Sequence, residues 1–162
     1  MTKNLTSPTH KSLAELSSHH QSPCIALYQV LGLSLQSVQL FEGNRDAIVE
    51  IDVDPGVPRT IVEALGEKMN DPGSTHHGQG GKNAEADQET ERFFRAVDRA
   101  VLIHHSQPSG LPLILAALPM HHNVFRKVSH NSHLMAEGLS TNPNTLSIDE
   151  LRKLAWQVFE RQ

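Results

Sequence analysis

The sequence predicts a single α/β (α+β) domain, in which helices cover a mixed sheet, from three observations. Residues 47–53 alternate between apolar and polar side chains, which is the pattern of a half-buried strand. Residues 111–118 form an unbroken apolar run, which is typical of a strand covered on both faces. Apolar residues at helical spacing lie between and after these strands. A chain of 162 residues is long enough for one layered domain with its own core.

The first elements predict an antiparallel hairpin. Residues 24–28 form a short strand-like apolar run, and residues 33–41 predict a strand. The segment 42–46 contains a Gly-Asn pair and predicts a turn into the alternating strand 47–53. Two strands joined by a short turn pair as a hairpin.

A short helix and a long helix are predicted next. The short helix covers residues 58–65, with a proline at its start and Gly66 as its stop. Asn83 is the predicted cap of the long helix, because its amide oxygen can accept from a first-turn N–H. The predicted buried stripe of the long helix consists of Phe93, Phe94, Val97, Ala100, Val101 and His104.

Two further helices follow the apolar run 111–118. Pro119 starts the first of them, which continues to Val128. Ser147 and Glu150 have the spacing of a capping box at the start of the last helix. The predicted apolar stripe of that helix consists of Leu151, Leu154, Ala155, Val158 and Phe159.

Composition excludes several classes of protein. The net charge of −4 argues against a chain whose whole surface binds nucleic acid. The only cysteine is Cys24, so no disulfide can form within the chain, and a reducing compartment is the simplest environment. No apolar run reaches the roughly 18 residues that a membrane helix needs. We therefore expect a cytoplasmic protein.

A glycine-rich loop is predicted over residues 70–83. It holds four glycines and no aliphatic or aromatic side chain, so it adds nothing to a core. Bare backbone can approach a ligand or a nucleic acid closely, and the start of the following helix favours an anion. The loop is not a nucleotide-binding P-loop, because Lys82 is followed by Asn83 and the glycine spacing differs. A surface loop without a ligand is the alternative.

Other chemistries receive little support from the sequence. The 11 histidines include no ligand pattern of a metalloenzyme, so no metal site is predicted. Asp52, Asp54 and Asp98 are candidates for a magnesium-dependent nuclease only if the fold brings them together. Arg92, Arg95 and Arg99 lie at helical spacing and could face phosphates, although such a row is also typical of a solvated helix face.

Several motifs, in the right order, resemble the central domain of the bacterial archaeo-eukaryotic release factor family, relatives of the archaeal and eukaryotic class-1 peptide-chain release factors. The resemblance is carried by 38–45 (VQLFEGNR), 58–66 (PRTIVEALG), 77–82 (HGQGGK), 91–98 (ERFFRAVD) and 129–134 (SHNSHL). Residues 22–29 (SPCIALYQ) resemble the start of such proteins. The resemblance implies a trimmed or internally deleted relative, with an N-terminal segment at 1–29 and a central domain at 30–162.

The resemblance implies a ribonuclease-H-like mixed sheet and association with the ribosome, in termination or rescue. In release factors a Gly-Gly-Gln loop promotes hydrolysis of the ester that joins the peptide to tRNA. Gly80 and Gly81 match the two glycines, and Lys82 stands in place of the glutamine. Lysine has three donors and no acceptor, so it cannot orient water as an amide does.

The resemblance also implies contacts with ribosomal RNA and peptidyl-tRNA, and no cofactor. The residues expected at these contacts are His76, His77, Gly78, Gln79, Arg92 and Arg95. The alternative function is a non-catalytic module or remnant that binds a protein partner or a second copy of itself. A metal-dependent nuclease is the third hypothesis.

Overall fold

A computed structural model of the chain describes residues 26–65 and 81–161. Within these residues no helix is long and apolar enough to cross a membrane. The first 25 residues, the segment 66–80 and the last residue lie outside the described part, so the first two residues of the predicted strand-like run 24–28 are not described.

A four-stranded mixed sheet forms the centre of the fold, and it confirms the predicted α/β class. Its strands are β1 (Tyr28–Leu33), β2 (Val38–Gly43), β3 (Ile48–Ile51) and β4 (Leu113–Ala116). The spatial order is β3-β2-β1-β4. The first three strands pair antiparallel, whereas β4 pairs parallel with β1. An antiparallel meander followed by a parallel crossover strand fits the ribonuclease-H-like sheet that the resemblance implies.

The predicted hairpin is confirmed, but the predicted bounds of its first strand were wrong. Leu33 is the last residue of β1, and the chain turns over residues 34–37 before β2 begins. The Ser34 hydroxyl holds this turn by accepting from the Ser37 N–H at 3.1 Å. The turn contains neither glycine nor proline, which mark turns most strongly, so only its two serines indicated a break between two strands.

The helices lie on both sides of the sheet and follow the predicted order. They are α1 (Ile61–Leu65), α2 (Gly81–Val101), α3 (Pro119–Val128) and α4 (Ile148–Glu160). Helix α2 continues through a π-helical turn (Leu102–Ser106) and a last helical turn (Gln107–Ser109), and a 3₁₀ turn (Pro143–Thr145) precedes α4. The predicted capping box of α4 is confirmed, since the Ser147 hydroxyl accepts from the Glu150 N–H at 3.1 Å.

Two apolar clusters cover the two faces of the sheet. Alternate residues of β4 illustrate this: Leu113 and Leu115 belong to the cluster with α2 and α3, and Ile114 and Ala116 to the cluster with α4. All four residues of β4 are buried, as the unbroken apolar run predicts. The predicted stripe of α4 is confirmed, because every member is buried in or packed against its cluster.

One member of the predicted buried stripe of α2 is exposed instead. His104 was predicted to be buried, but its side chain is 39% exposed. The reason is the π-helical turn, in which the Gln107 N–H donates to the Leu102 carbonyl oxygen five residues back. The wider turn changes the rotation per residue, so a stripe extrapolated from the α-helical period leaves the core at this point.

Candidate functional site

The start of α2 is the part of the predicted site that the structure describes. The helix begins at Gly81, so the last three residues of the predicted loop 70–83 are helical. Asn83 is therefore inside the helix and does not precede it as the predicted cap. The other predicted residues before the helix lie outside the described part: His76, His77, Gly78, Gln79 and Gly80.

Gly81 and Lys82 occupy the first turn of α2. The first four N–H groups of an α-helix have no acceptor within the helix. They also carry the positive end of the helix dipole, which amounts to about half an elementary charge. The backbone at the position of the missing glutamine is therefore part of an electropositive helix end.

Arg92 and Arg95 lie on the exposed face of α2, as expected for residues off the buried stripe. Gln88 and Arg99 are also exposed. At 3.6 residues per turn, these four side chains lie within an arc of roughly 60° around the helix axis. We call these four residues the arginine stripe. It extends about 16 Å along the helix at a rise of 1.5 Å per residue. Arg92 is about 15 Å from Lys82 along the axis by the same rise.

The surroundings of the arginine stripe are only partly neutralised. Glu91, at its edge, contacts Lys127 of α3 at 2.9 Å and Arg95 at 3.7 Å. The hydrogen bond from Lys127 lowers the pKa of the Glu91 carboxyl, which therefore stays ionised. Arg92 and Arg99 make no ion pair within residues 26–65 and 81–161. Their guanidinium groups remain open to an anion from outside the chain.

Asp98 holds two of the resembling motifs together. It is buried on α2, and its carboxylate accepts from the Ser129 hydroxyl and, at 2.8 Å, from the His130 N–H. Next to it, the Asn131 amide donates to the Ser106 hydroxyl at 2.8 Å. The segment that follows α3 is thus attached to the second half of α2. Neither the residue types nor the spacing of the two motifs indicates that they meet.

The carboxylates of the nuclease hypothesis are engaged in separate local contacts. Asp98 binds the segment after α3, as described above, whereas Asp54 lies 3.6 Å from His104 and accepts from the Gly56 N–H. In the described part of the chain, no group of three or more His, Cys, Asp or Glu side chains could hold a metal ion. The structure therefore offers the nuclease hypothesis no support.

Three partly or fully buried histidines have lowered pKa values. For His105, His121 and His122 the largest cause is burial, which disfavours the charged ring. His105 also accepts from the Asp54 N–H at 3.0 Å through Nε2, which requires that nitrogen to be unprotonated. His122 makes a 2.6 Å hydrogen bond between Nε2 and the Leu139 carbonyl oxygen. The geometry of His105 therefore requires a neutral ring, and burial disfavours the charged form of all three.

We expect the protein to lose stability between pH 7.5 and pH 5.5. When the native pKa of a histidine is lowered, the unfolded state takes up protons first as the pH falls, so folding becomes less favourable. The expected loss is on the order of 1 kcal/mol, measured as the free energy of unfolding in urea at the two pH values. His122→Gln should reduce this pH dependence, and His130→Gln, at an exposed position, should not. Stability that is constant over the interval would contradict the prediction.

Comparison with known proteins identifies the family of the chain. The sequence profile of bacterial archaeo-eukaryotic release factor family 3 matches residues 27–162. The match begins one residue before β1 and includes every strand and helix described above. No curated protein matches the chain. Because the profile covers the whole fold, with the glycine motif at the start of α2, the chain belongs to bacterial archaeo-eukaryotic release factor family 3.

Proposed function

We propose that this chain is a ribosome-binding domain that acts in peptide release or ribosome rescue. The observation that carries the proposal is the family match over the whole fold. Family membership supports a translation-associated function. The position of the motif residues Gly81 and Lys82 in the first turn of α2 supports a role for this helix end at the peptidyl-tRNA ester.

Ester hydrolysis needs a water molecule that attacks the carbonyl carbon and donors that stabilise the developing oxyanion. The backbone N–H of Lys82 is present whatever the side chain, and in the first helical turn it has no acceptor within the helix. The Lys82 ammonium group can add positive charge but has no acceptor with which to orient the water. We therefore propose oxyanion stabilisation by the helix end, with a slower reaction than a glutamine side chain would allow.

The arginine stripe supports binding to RNA. Arg92 and Arg95 are exposed, and guanidinium groups pair with phosphate through two parallel hydrogen bonds. We propose that they bind the RNA backbone while His76, His77, Gly78 and Gln79 approach it from the segment before the helix. The net charge of the whole chain is −4, so the attraction to RNA is local to the arginine stripe. It should weaken as the salt concentration increases.

A peptide-release assay tests the catalytic part of the proposal. Ribosomes carrying peptidyl-tRNA with an empty A site receive the native chain or Lys82→Gln, each in large excess. We expect Lys82→Gln to release peptide faster, by on the order of 10²-fold, because an amide can both donate to the oxyanion and orient water. Lys153→Gln makes the same exchange on the exposed face of α4 and should match the native chain. If neither the native chain nor Lys82→Gln releases peptide, hydrolysis is refuted and a non-catalytic binding module becomes the better hypothesis.

Sedimentation with ribosomes at low salt tests binding separately from chemistry. We expect Arg92→Gln with Arg95→Gln to move most of the protein from the ribosomal fraction to the soluble fraction. Lys153→Gln with Arg161→Gln removes the same charge from α4 and the residue that follows it, and should leave the distribution unchanged. Equal behaviour of the two double variants would exclude a specific role for the arginine stripe, and a native chain that stays wholly soluble would exclude ribosome binding.

A further inference from the structure

A polar cleft lies between α3 and the segment 135–140, which runs beside β4. Its volume is 270 Å³, and its lining includes His122, Asn123 and Arg126 from the helix and Ala136, Gly138 and Ser140 from the segment. The three residues from the segment are alternate in sequence and small, which leaves the space open. A Cβ atom on Gly138 would lie 3.3 Å from Arg126 Nη2, so the glycine keeps the floor of the cleft clear beside the guanidinium.

Arg126 is a partly buried cation that has no counter-ion among the described residues. Its Nη1 donates to the Met135 carbonyl oxygen at 2.9 Å, and it makes no ion pair with any residue in 26–65 or 81–161. Burial lowers the pKa of the Arg126 guanidinium, because it removes part of the charge from water. A buried charge that lacks a partner is costly, and an anion in the cleft would remove that cost.

Two carbonyl oxygens of the segment 135–140 already accept hydrogen bonds. The carbonyl oxygen of Met135 accepts from Arg126, and that of Leu139 is within 2.6 Å of His122 Nε2. No carboxylate lines the cleft, and the neighbouring Glu137 lies 3.8 Å from Arg161. The Asn123 amide and the Ser140 hydroxyl supply further donors. Pro119, the first residue of α3, also borders the cleft.

We propose that this cleft binds a phosphate group, with Arg126 as its cation and Asn123 and Ser140 as flanking donors. A tetrahedral oxyanion fits the volume, and a guanidinium can donate two parallel hydrogen bonds to it. The group is either inorganic phosphate or a phosphodiester of an RNA backbone. The proposal does not depend on release activity, because it rests on α3 and segment 135–140 and not on the start of α2.

Titration with sodium phosphate, followed by ¹H–¹⁵N NMR of the full chain, tests the proposal. We expect saturable shift changes confined to the Arg126 Nε–H and to the amides of Gly138 and Ser140, with half-saturation in the millimolar range. Sodium chloride at equal ionic strength should not cause them. Arg126→Gln should weaken binding at least tenfold, whereas Lys153→Gln, which removes a charge on α4, should leave it unchanged. Shifts that survive Arg126→Gln, or that chloride reproduces, would overturn the proposal.

A second variant keeps the test valid if Arg126→Gln does not fold. Ala136→Leu fills the cleft from an exposed position and retains the arginine, so it should abolish the phosphate-dependent shifts. Ser132→Leu adds the same side chain at an exposed position outside the lining and should bind phosphate normally. A short single-stranded RNA in a parallel titration distinguishes the two sources. The same localised shifts with RNA indicate a backbone site, and shifts with phosphate alone indicate a site for the free ion. No localised shift with either would refute the proposal.

Discussion

Replacing Asp98 by alanine is expected to lower the free energy of unfolding by about 3 kcal/mol. The change leaves the Ser129 hydroxyl and the His130 N–H without the buried carboxylate that accepts from both. Neither donor gains a replacement acceptor from an alanine side chain, and the position is too buried for water to enter freely. Urea denaturation at pH 7.5 measures the loss.

Two variants show whether the carboxylate itself is responsible. Asp98→Asn keeps one side-chain oxygen as an acceptor and should be less damaging than alanine. Asp149→Ala removes a carboxylate that pairs with Arg152 and Lys153 but is 63% exposed, so it should lower stability far less than Asp98→Ala does. An Asp98→Ala protein as stable as Asp149→Ala would show that the attachment of the 129–134 motif to α2 contributes little.

Gly138→Ala should destabilise the protein by about 2–3 kcal/mol, because the new methyl group has no room. Its Cβ would lie 2.4 Å from the Leu115 carbonyl oxygen and 2.7 Å from the His122 ring. Leu115 is in β4, and the same oxygen accepts from the Leu139 N–H at 2.8 Å, so the backbone cannot withdraw without loss of a hydrogen bond. The midpoint of urea unfolding gives the effect.

Gly110→Ala is the matched control for this crowding. Gly110 has a φ of 69°, where a side chain is strained, but nothing lies within 4 Å of its added Cβ. We expect it to cost about 1 kcal/mol, from backbone strain alone. Equal losses for the two variants would mean that the contact with Leu115 relaxes easily and that crowding at Gly138 is unimportant.

Elements defined by near neighbours in sequence were predicted well. The capping box of Ser147 and Glu150 spans three residues, and the apolar stripe of α4 repeats within two turns. The hairpin turn was also foreseen, and in the structure the Asn44 side chain holds it by accepting from the N–H groups of Asp46 and Ala47. In each case the interacting groups are close in the chain, so residue type and spacing carry the information.

The end of β1 and the buried face at the end of α2 were predicted less well. At both places a local hydrogen bond forms in a segment without glycine or proline. The Ser34 turn separates β1 from β2 without glycine or proline, so residues 33–41 appeared as one strand. The π-helical turn exposes His104, and nothing in its residue types marks the change of period. Each error arises from a local hydrogen bond: the Ser37 N–H donates to the Ser34 hydroxyl in the turn, and the Gln107 N–H donates to the Leu102 carbonyl oxygen in the helix.

For the candidate site, the sequence by itself determined the family, the glycine motif and the exposure of Arg92 and Arg95 on one helix face. RNA contact by these residues and by the segment before α2 stays a prediction. Only the tertiary structure decided which distant groups meet. Asp98 binds Ser129, 31 residues away, and Arg126 lies in a cleft beside Gly138 with no ion-pair partner in the described part of the chain. The physical reason is that helical period and turn chemistry act over a few residues, whereas a buried carboxylate or an unpaired cation is defined by what packs around it.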